Sequence, residues 1–385
     1  MIKVIYFITD LGIGGAEKLL VLILNKLDKN KFDPMVCCLY GGELLDEISR
    51  QGIKVVDLKI KNKFDCSAIF RFYRLLKKEK PDILHTHLFH ANIIGRIIGR
   101  QCGVSVIIST QHYSSAFHGK IGLFLDRVTA PLANIIIAVS DAAKRFCIDK
   151  EGISDKRIVT IYNGIEIAQL FKSTFELRKK LSLGNGPLIG CVGRFVEVKG
   201  YRYLILAAND ILEACPDAKF MFLGYGPLKN ELILLTKRLN ISDKFVFLDS
   251  TIMVDEFLST IDVYVLPSLT EGLSINLLEA MAISKPVVVT NVGGNPEVVI
   301  DNVSGVIVPP RDPAALSRAV ITILKDSNFA NKIAFNARKR VEDKFNFDDM
   351  LKSTESLYHS LLFSNIKPAK PRCGGSICPD LINPI

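Results

Sequence analysis

The chain has 385 residues, 49% of them hydrophobic and 23% charged. This balance belongs to ordinary globular domains, excludes a largely disordered chain or a disulfide-stapled miniprotein, and at this length suits two domains. The formal net charge of +9 is front-loaded: residues 1–180 carry 28 Lys and Arg against 18 Asp and Glu, the remainder 21 against 22, so an anionic partner belongs with the front half.

The N-terminal run Met1–Thr9 lacks a small-residue cleavage site and leads into Gly12-Ile-Gly-Gly15, so it reads as a first strand and not as a signal peptide. Strand and helix then alternate. Strands are predicted at 2–9, 34–39, 54–58, 82–85, 106–110 and 135–139, and helices at 16–27, 43–51, 67–80 and 91–102. The rhythm weakens over 163–187, where a charged stretch meets the breakers of Leu183-Gly-Asn-Gly-Pro187, and we place a linker near 165–185. It restarts with strands at 188–192, 219–223, 245–247, 263–266, 287–290 and 306–308. Helices are expected at 201–214, 228–239, 274–282, 314–325 and 347–362. No apolar run approaches the roughly 18–20 residues of a membrane span. The short apolar runs read as buried parallel strands, and the expected class is α/β with two doubly wound, Rossmann-like domains. The boundaries expected are 1–170, 171–345, a C-terminal helix at 346–363, and a flexible tail at 364–385. The nine cysteines show no metal-type spacing. Buried reduced thiols are expected, which points to a cytoplasmic location, with Cys373 and Cys378 incidental in the tail.

Four stretches carry candidate chemistry. Gly12-Ile-Gly-Gly-Ala-Glu17 sits between strand and helix, where glycines let backbone N–H groups approach a phosphate; a tight structural turn is the alternative. His85-Thr-His87 and His112 fall at predicted strand ends, where ligands gather in open α/β sheets. For His85 a hydrogen-bonded core histidine is the alternative, and for all three a zinc site is open by residue type but has no convincing partner spacing. Arg194 and Lys199 share one loop, Gly193-Arg-Phe-Val-Glu-Val-Lys-Gly200, and two fixed cations at a strand end suit a diphosphate; a solvated loop is the alternative. Glu271-Gly-Leu-Ser-Ile-Asn-Leu-Leu-Glu279 sets two carboxylates around a helix start that Ser274 can cap, an arrangement suited to an anion flanked by hydroxyl groups; two unrelated surface acids are the alternative.

In order along residues 1–310, Gly14-Gly-Ala-Glu17, His85-Thr-His87, Thr110-Gln-His112, Val139-Ser140, Tyr162-Asn-Gly-Ile165, Gly193-Arg194 with Lys199-Gly200, Gly224-Tyr-Gly-Pro227, Leu266-Pro-Ser268 and Glu271-x7-Glu279 resemble the retaining glycosyltransferases of family GT4, which have the GT-B fold. The resemblance implies hexosyl transfer from a nucleotide-sugar held on the C-terminal domain. Arg194 and Lys199 would neutralise the diphosphate, Glu279 would hold the ribose, and Glu271, with Gly272, Leu273 and Ser274, would hold the donor sugar. Gly224 and Gly226 would line the donor site. His112 would lie by the reacting carbon. Gly14, Gly15, His85 and His87 would face the acceptor, Gly15 also the diphosphate. The departing phosphate would take the acceptor's proton, with neither cofactor nor essential metal. Two departures, Leu273-Ser274 for the frequent Phe-Gly and Asn276 for a hydrophobic residue, bear on the identity of the sugar.

Lys59, Lys61, Lys63, Arg71, Arg74, Lys77, Lys78 and Lys80 interleave with Ile69, Phe70, Phe72, Tyr73, Leu75 and Leu76. This suits an anionic membrane face or a lipid-diphosphate acceptor, with peripheral attachment to the cytoplasmic membrane; a helix packed on its own sheet is the alternative. Nucleic acid is not expected, because no reader motif accompanies the charge. The expected product is a polysaccharide or lipid-linked precursor. The rival functions are a GT-B nucleotide-sugar epimerase and a non-catalytic subunit of a transferase complex.

Overall fold

The computed structural model describes residues 1–61, 65–112, 119–167, 176–249 and 253–363. Lys63, the 168–175 part of the expected linker with the 170/171 boundary, and the tail with Cys373 and Cys378 lie outside them.

The first half alternates β1 (Ile2–Asp10), α1 (Gly15–Lys26), β2 (Phe32–Tyr40), α2 (Leu45–Arg50), β3 (Lys54–Asp57), α3 (Cys66–Glu79), β4 (Ile83–His87) and α4 (Phe89–Cys102). It continues with β5 (Val106–Gln111), α5 (Gly119–Thr129), β6 (Ile135–Ala138), α6 (Asp141–Asp149) and β7 (Ile158–Thr160). The second half runs α7 (Glu176–Lys180), β8 (Leu188–Val192), α8 (Tyr201–Ala214), β9 (Lys219–Leu223), α9 (Lys229–Arg238), β10 (Phe245–Leu248), α10 (Val254–Thr260) and β11 (Val263–Leu266). Then follow α11 (Ile275–Ala282), β12 (Val287–Thr290), α12 (Asn295–Val298), β13 (Val306–Val308), α13 (Pro313–Lys325), α14 (Ser327–Lys344) and α15 (Phe347–Phe363).

The strands form two all-parallel sheets, ordered β3-β2-β1-β4-β5-β6-β7 and β10-β9-β8-β11-β12-β13. Central strands are buried on both faces, as in the fully buried β8 and β11, which is why they read in sequence as unbroken apolar runs. The strand order reverses between β1 and β4 in one sheet and between β8 and β11 in the other. At such switch points neighbouring crossovers leave on opposite faces, and a crevice opens beyond the carboxyl ends of the strands. The Gly12–Gly15 turn, His85-Thr-His87, the 193–200 loop and the 267–274 loop therefore sit where this topology places a ligand.

The final helix returns to the first sheet. Ile165 and Asn346 form a parallel bridge, Ile165 N donates to Phe345 O at 3.0 Å, and Phe347 N donates to Ile165 O at 3.2 Å. Helix α15 then buries Phe347, Met350, Leu351 and Tyr358 among side chains of the first sheet. Of the described cysteines, Cys37, Cys38, Cys147 and Cys191 are buried free thiols, and Cys66 is exposed. No helix among the described residues is long and apolar enough to cross a membrane.

Candidate active site

The two switch points face each other. Gly15 opens α1 and Ile275 opens α11, and a Cβ added to Gly15 would lie 3.4 Å from Ile275 Cγ1. Two helix N-termini, each with unpaired N–H groups and partial positive charge, thus meet at one place. Gly14 is the N-cap of α1, and the folded-back Glu17 carboxylate lies where its side chain would go. Ser274 caps α11, its Oγ accepting from Leu277 N at 3.3 Å. Asn276, the residue that departs from the family pattern, donates from Nδ2 to Val192 O at 3.3 Å. It ties the first turn of α11 to the end of β8.

Lys199 and Glu271 are brought together. Lys199 Nζ donates to Glu271 Oε1 at 2.6 Å, and Ser268 Oγ donates to the same oxygen at 2.7 Å. The loops carrying them are laced by Leu269 N donating to Val198 O at 2.7 Å. Gly224 and Gly226 work from behind: a Cβ at Gly224 would lie 2.0 Å from Gly193 O, and one at Gly226 2.5 Å from Phe195 O. Only glycine lets the β9 loop brace the Arg194 loop this closely. Gly293, at φ +51°, presses similarly on the Glu271 carbonyl.

Arg194 is exposed, and it comes near enough to Glu17 of the other half to pull that carboxyl's pKa down. Burial outweighs this and, with Asp10 adding to it, Glu17 is pushed up to about 7. Glu279, on α11, is likewise pushed up to about 7, chiefly by burial, with Lys18 of α1 opposing. Its Oε2 is buried and meets no hydrogen-bond partner among the described residues. A buried carboxylate oxygen without a donor is costly and fits an unmade bond to a ligand hydroxyl. The two cations and two acids thus divide: Lys199 and Glu271 form one pair, Glu279 lies on the adjoining helix, and Arg194 faces the first half.

The histidines form one cluster. His85 uses both ring nitrogens, Nδ1 to Tyr358 Oη at 2.5 Å and Nε2 to Thr110 Oγ1 at 2.7 Å. His87 Nδ1 lies 3.1 Å from His112 Nε2. Burial lowers all three: His85 to about 3, His112 to about 4, His87 well below its usual value. They are not arranged as a zinc set, since their nitrogens face one another and protein hydroxyls. Among the described residues, no three His, Cys, Asp or Glu side chains are grouped to hold a metal ion.

Four further residues have roles that the sequence did not disclose. Ser140 Oγ donates to Gly272 O at 2.9 Å, and Asn163 Nδ2 to Leu273 O at 3.4 Å. The Val139-Ser140 and Tyr162-Asn163 motifs therefore hold the 267–274 loop from the first half. Glu297 of α12 accepts from Asp141 N at 2.8 Å, Ala142 N at 2.6 Å and Tyr162 Oη at 2.9 Å, capping α6 from the other half. Tyr225 Oη donates to Ile13 O at 3.1 Å across the cleft. The spacing within Gly224-Tyr-Gly signalled a tight turn, and nothing in it signalled this contact.

On α3, the buried Ala68, Phe72 and Leu76 pack on the sheet, which is the packed-helix alternative. Phe70 remains exposed, with Arg74 stacked 4.5 Å from its ring centre.

Comparison with known proteins agrees with this architecture. The profile of the family described as Glycosyltransferase Family 4 matches residues 13–169, and that of Glycosyl transferases group 1 matches residues 173–340. The chain belongs to the GT4 glycosyltransferases. Among its relatives, the UDP-Gal:alpha-D-GlcNAc-diphosphoundecaprenol alpha-1,3-galactosyltransferase of Escherichia coli is 28% identical over 364 residues, 90% of this chain and 94% of that protein. The capsular polysaccharide biosynthesis glycosyltransferase CapM of Staphylococcus aureus is 26% identical over 314 residues, 77% of this chain and 82% of that one. Anabaena HepE, solved with UDP and glucose, superposes with a TM-score of 0.85 at 20% identity over 94% of this chain and all of that one. This GT4 enzyme therefore has the GT-B fold, and its two sheets are the two halves of that fold.

Proposed function

We propose that the enzyme is a retaining transferase that moves a sugar from a uridine diphosphate sugar to a lipid-diphosphate-linked saccharide at a membrane surface. The observation that carries this reading is the Lys199–Glu271 pair beside the N-terminus of α11, which faces Gly15 of α1. A diphosphate lodged there meets Lys199, Arg194 and two helix ends, while Glu271 and Glu279 offer carboxylate acceptors to hydroxyl groups. The E. coli relative supports both partners by its name, and HepE supports the nucleotide.

In the proposed reaction the bond between the anomeric carbon and the diphosphate oxygen breaks, and the electron pair leaves with the diphosphate. The acceptor hydroxyl bonds to the same face of that carbon, and its proton passes to the departing phosphate oxygen. The charge that develops on that oxygen is met by groups already in place, the largest kind of catalytic term. Lys199→Ala should lower kcat about 10²-fold or more. Since side chains and helix ends supply the positive charge, activity should persist in a chelator.

A membrane partner has support apart from α3. On α5, Ile121, Phe124 and Val128 are 75%, 62% and 47% exposed, on one face at helical spacing, with Lys120 and Arg127 exposed beside them. An apolar stripe flanked by cations suits an anionic bilayer.

The test is calorimetry with nucleoside diphosphates, followed by NMR of the product formed from a UDP-sugar and a lipid-diphosphate acceptor. UDP binding and a product with the donor's anomeric configuration are expected. Absence of nucleotide binding, an inverted product, or an epimer formed without acceptor would overturn the reading.

A further inference from the structure

The contact between His87 and His112 joins two nitrogens, so one must carry the shared proton. His87 is 3% exposed, with its Nδ1 3.1 Å from His112 Nε2, and its own Nε2 is buried with no hydrogen-bond partner among the described residues. A neutral imidazole holds one proton, so the two arrangements leave different atoms unmatched. If His112 Nε2 carried the bridging proton, His87 would hold its proton on Nε2 as a buried N–H with no acceptor. If His87 Nδ1 carries it, Nε2 is only an unmatched lone pair. Orphaned buried N–H groups are rarer than under-satisfied acceptors, and the rings beside His87, those of His85, Tyr6 and His112 with centroids at 4.3, 6.1 and 5.4 Å, turn no acceptor among the described residues to its Nε2.

We infer that His87 donates its Nδ1 proton to His112 Nε2, fixing His112 as the Nδ1–H tautomer. His87 is thus a positioning residue for the reaction. His112 then engages a ligand through Nδ1 only as a donor. It can hold a sugar oxygen but cannot take the acceptor's proton, which must leave by another group, the departing phosphate in the mechanism above. The tautomer stands whether or not sugar is transferred; the consequence for transfer rests on the proposed function.

The experiment is NMR on the full chain with ¹⁵N,¹³C-labelled histidine, seeking a ¹⁵N–¹⁵N coupling across the hydrogen bond. The bridging proton should be bonded to an Nδ1 and coupled to an Nε2. A bridging proton bonded to Nε2, both rings doubly protonated at pH 7, or no coupled pair when all six histidines are resolved would overturn the assignment. This measurement needs no variant and does not depend on how a substitution folds. His87→Asn retains an N–H donor near the place of Nδ1, and His87→Leu removes it. The Leu variant should show mixed His112 tautomers and a kcat lowered about tenfold, the loss of one well-placed hydrogen bond, with donor KM little changed. The Asn variant should restore both signal and rate. A folded Leu variant with wild-type kcat would overturn the positioning role and leave the tautomer, and the proposed transfer, to their own tests.

Discussion

Glu279 shows how one side chain links the site to stability. Burial raises its carboxyl, and that of Glu17, to about 7, so both take up a proton in the folded state well above the usual carboxyl range. In the proposed function Glu279 accepts from hydroxyl groups of the donor and works best ionised, so UDP affinity should rise between pH 6 and 8. Titration calorimetry across that range checks this, and Glu279→Gln should flatten the dependence. Stability responds in the other direction. Between about pH 6.5 and 4.5, the folded chain binds protons at Glu17 and Glu279 that the unfolded chain leaves off, which favours folding as pH falls and is lost as pH rises through 7. In the same window the unfolded chain protonates His85, His87 and His112, which the fold keeps neutral, and this stability is lost as pH falls. Three protons oppose two, so stability should decline on acidification, by at most about 1.4 kcal/mol per pH unit for the one-proton excess. Removing Glu279 widens the excess to two, so the Gln variant should lose stability more steeply in denaturant titrations at pH 6.5 and 5.

Among the elements, α5 depends on a pair that sequence reasoning did not find. Arg96 of α4 and Asp126 of α5 are 1% and 0% exposed and meet at 2.8 Å, and Arg96 Nε also donates to Ser109 Oγ of β5 at 2.9 Å. Breaking a buried pair strands its partner, so Asp126→Ala should cost about 3–5 kcal/mol in urea unfolding. The outer face of the same helix gives a separable prediction. Ile121→Ser with Phe124→Ser should weaken binding to anionic vesicles at least tenfold in flotation assays and leave UDP affinity unchanged. Equal vesicle binding would remove α5 from the membrane reading. The central strands and α1, α8 and α13 were legible because a long apolar run or a 3.6-residue apolar spacing states its own burial. Helix α14 was missed because its buried side includes only Ile333, Ala334, Ala337 and Val341, and alanines leave little periodic signal. Helix α5 was missed because its buried residues are Gly122, Asp126 and Thr129 while Ile121, Phe124 and Val128 are exposed, so its apolar spacing does not mark its buried side. The site was legible as loops and residue types, from Gly15 to Glu279. Its pairing was not, because the Lys199–Glu271 contact spans 72 residues and arises only when β8 and β11 become neighbours.

At the scale of the molecule, transfer requires the two halves to hold one orientation. Apolar packing contributes, since Ile275 of α11 lies against the cluster formed by the first sheet and α15, and polar contacts complete it. Tyr225 reaches Ile13, Ser140 and Asn163 hold the carbonyls of Gly272 and Leu273, and Glu297 caps α6 while Arg340 Nη2 donates to its carbonyl at 2.7 Å. Interfaces of this kind move more readily than apolar cores, which suits an enzyme that must admit donor and acceptor and then release products. Glu297 is the most connected member. Its carboxylate satisfies two first-turn N–H groups that would otherwise lack partners, a role worth about 0.5–2 kcal/mol for a helix cap. Glu297→Ala should therefore loosen the orientation without unfolding either sheet. Hydrogen exchange at the Asp141 and Ala142 amides should quicken at least about twofold, matching the lower end of that range. Because Lys199, Glu271 and Glu279 lie together on the second half and the first half brings only the α1 end, UDP affinity should fall less than kcat with acceptor. Wild-type exchange at those amides would show that α6 is capped by other means. An equal loss of UDP affinity would show that the nucleotide depends on the orientation of the first half as much as transfer does.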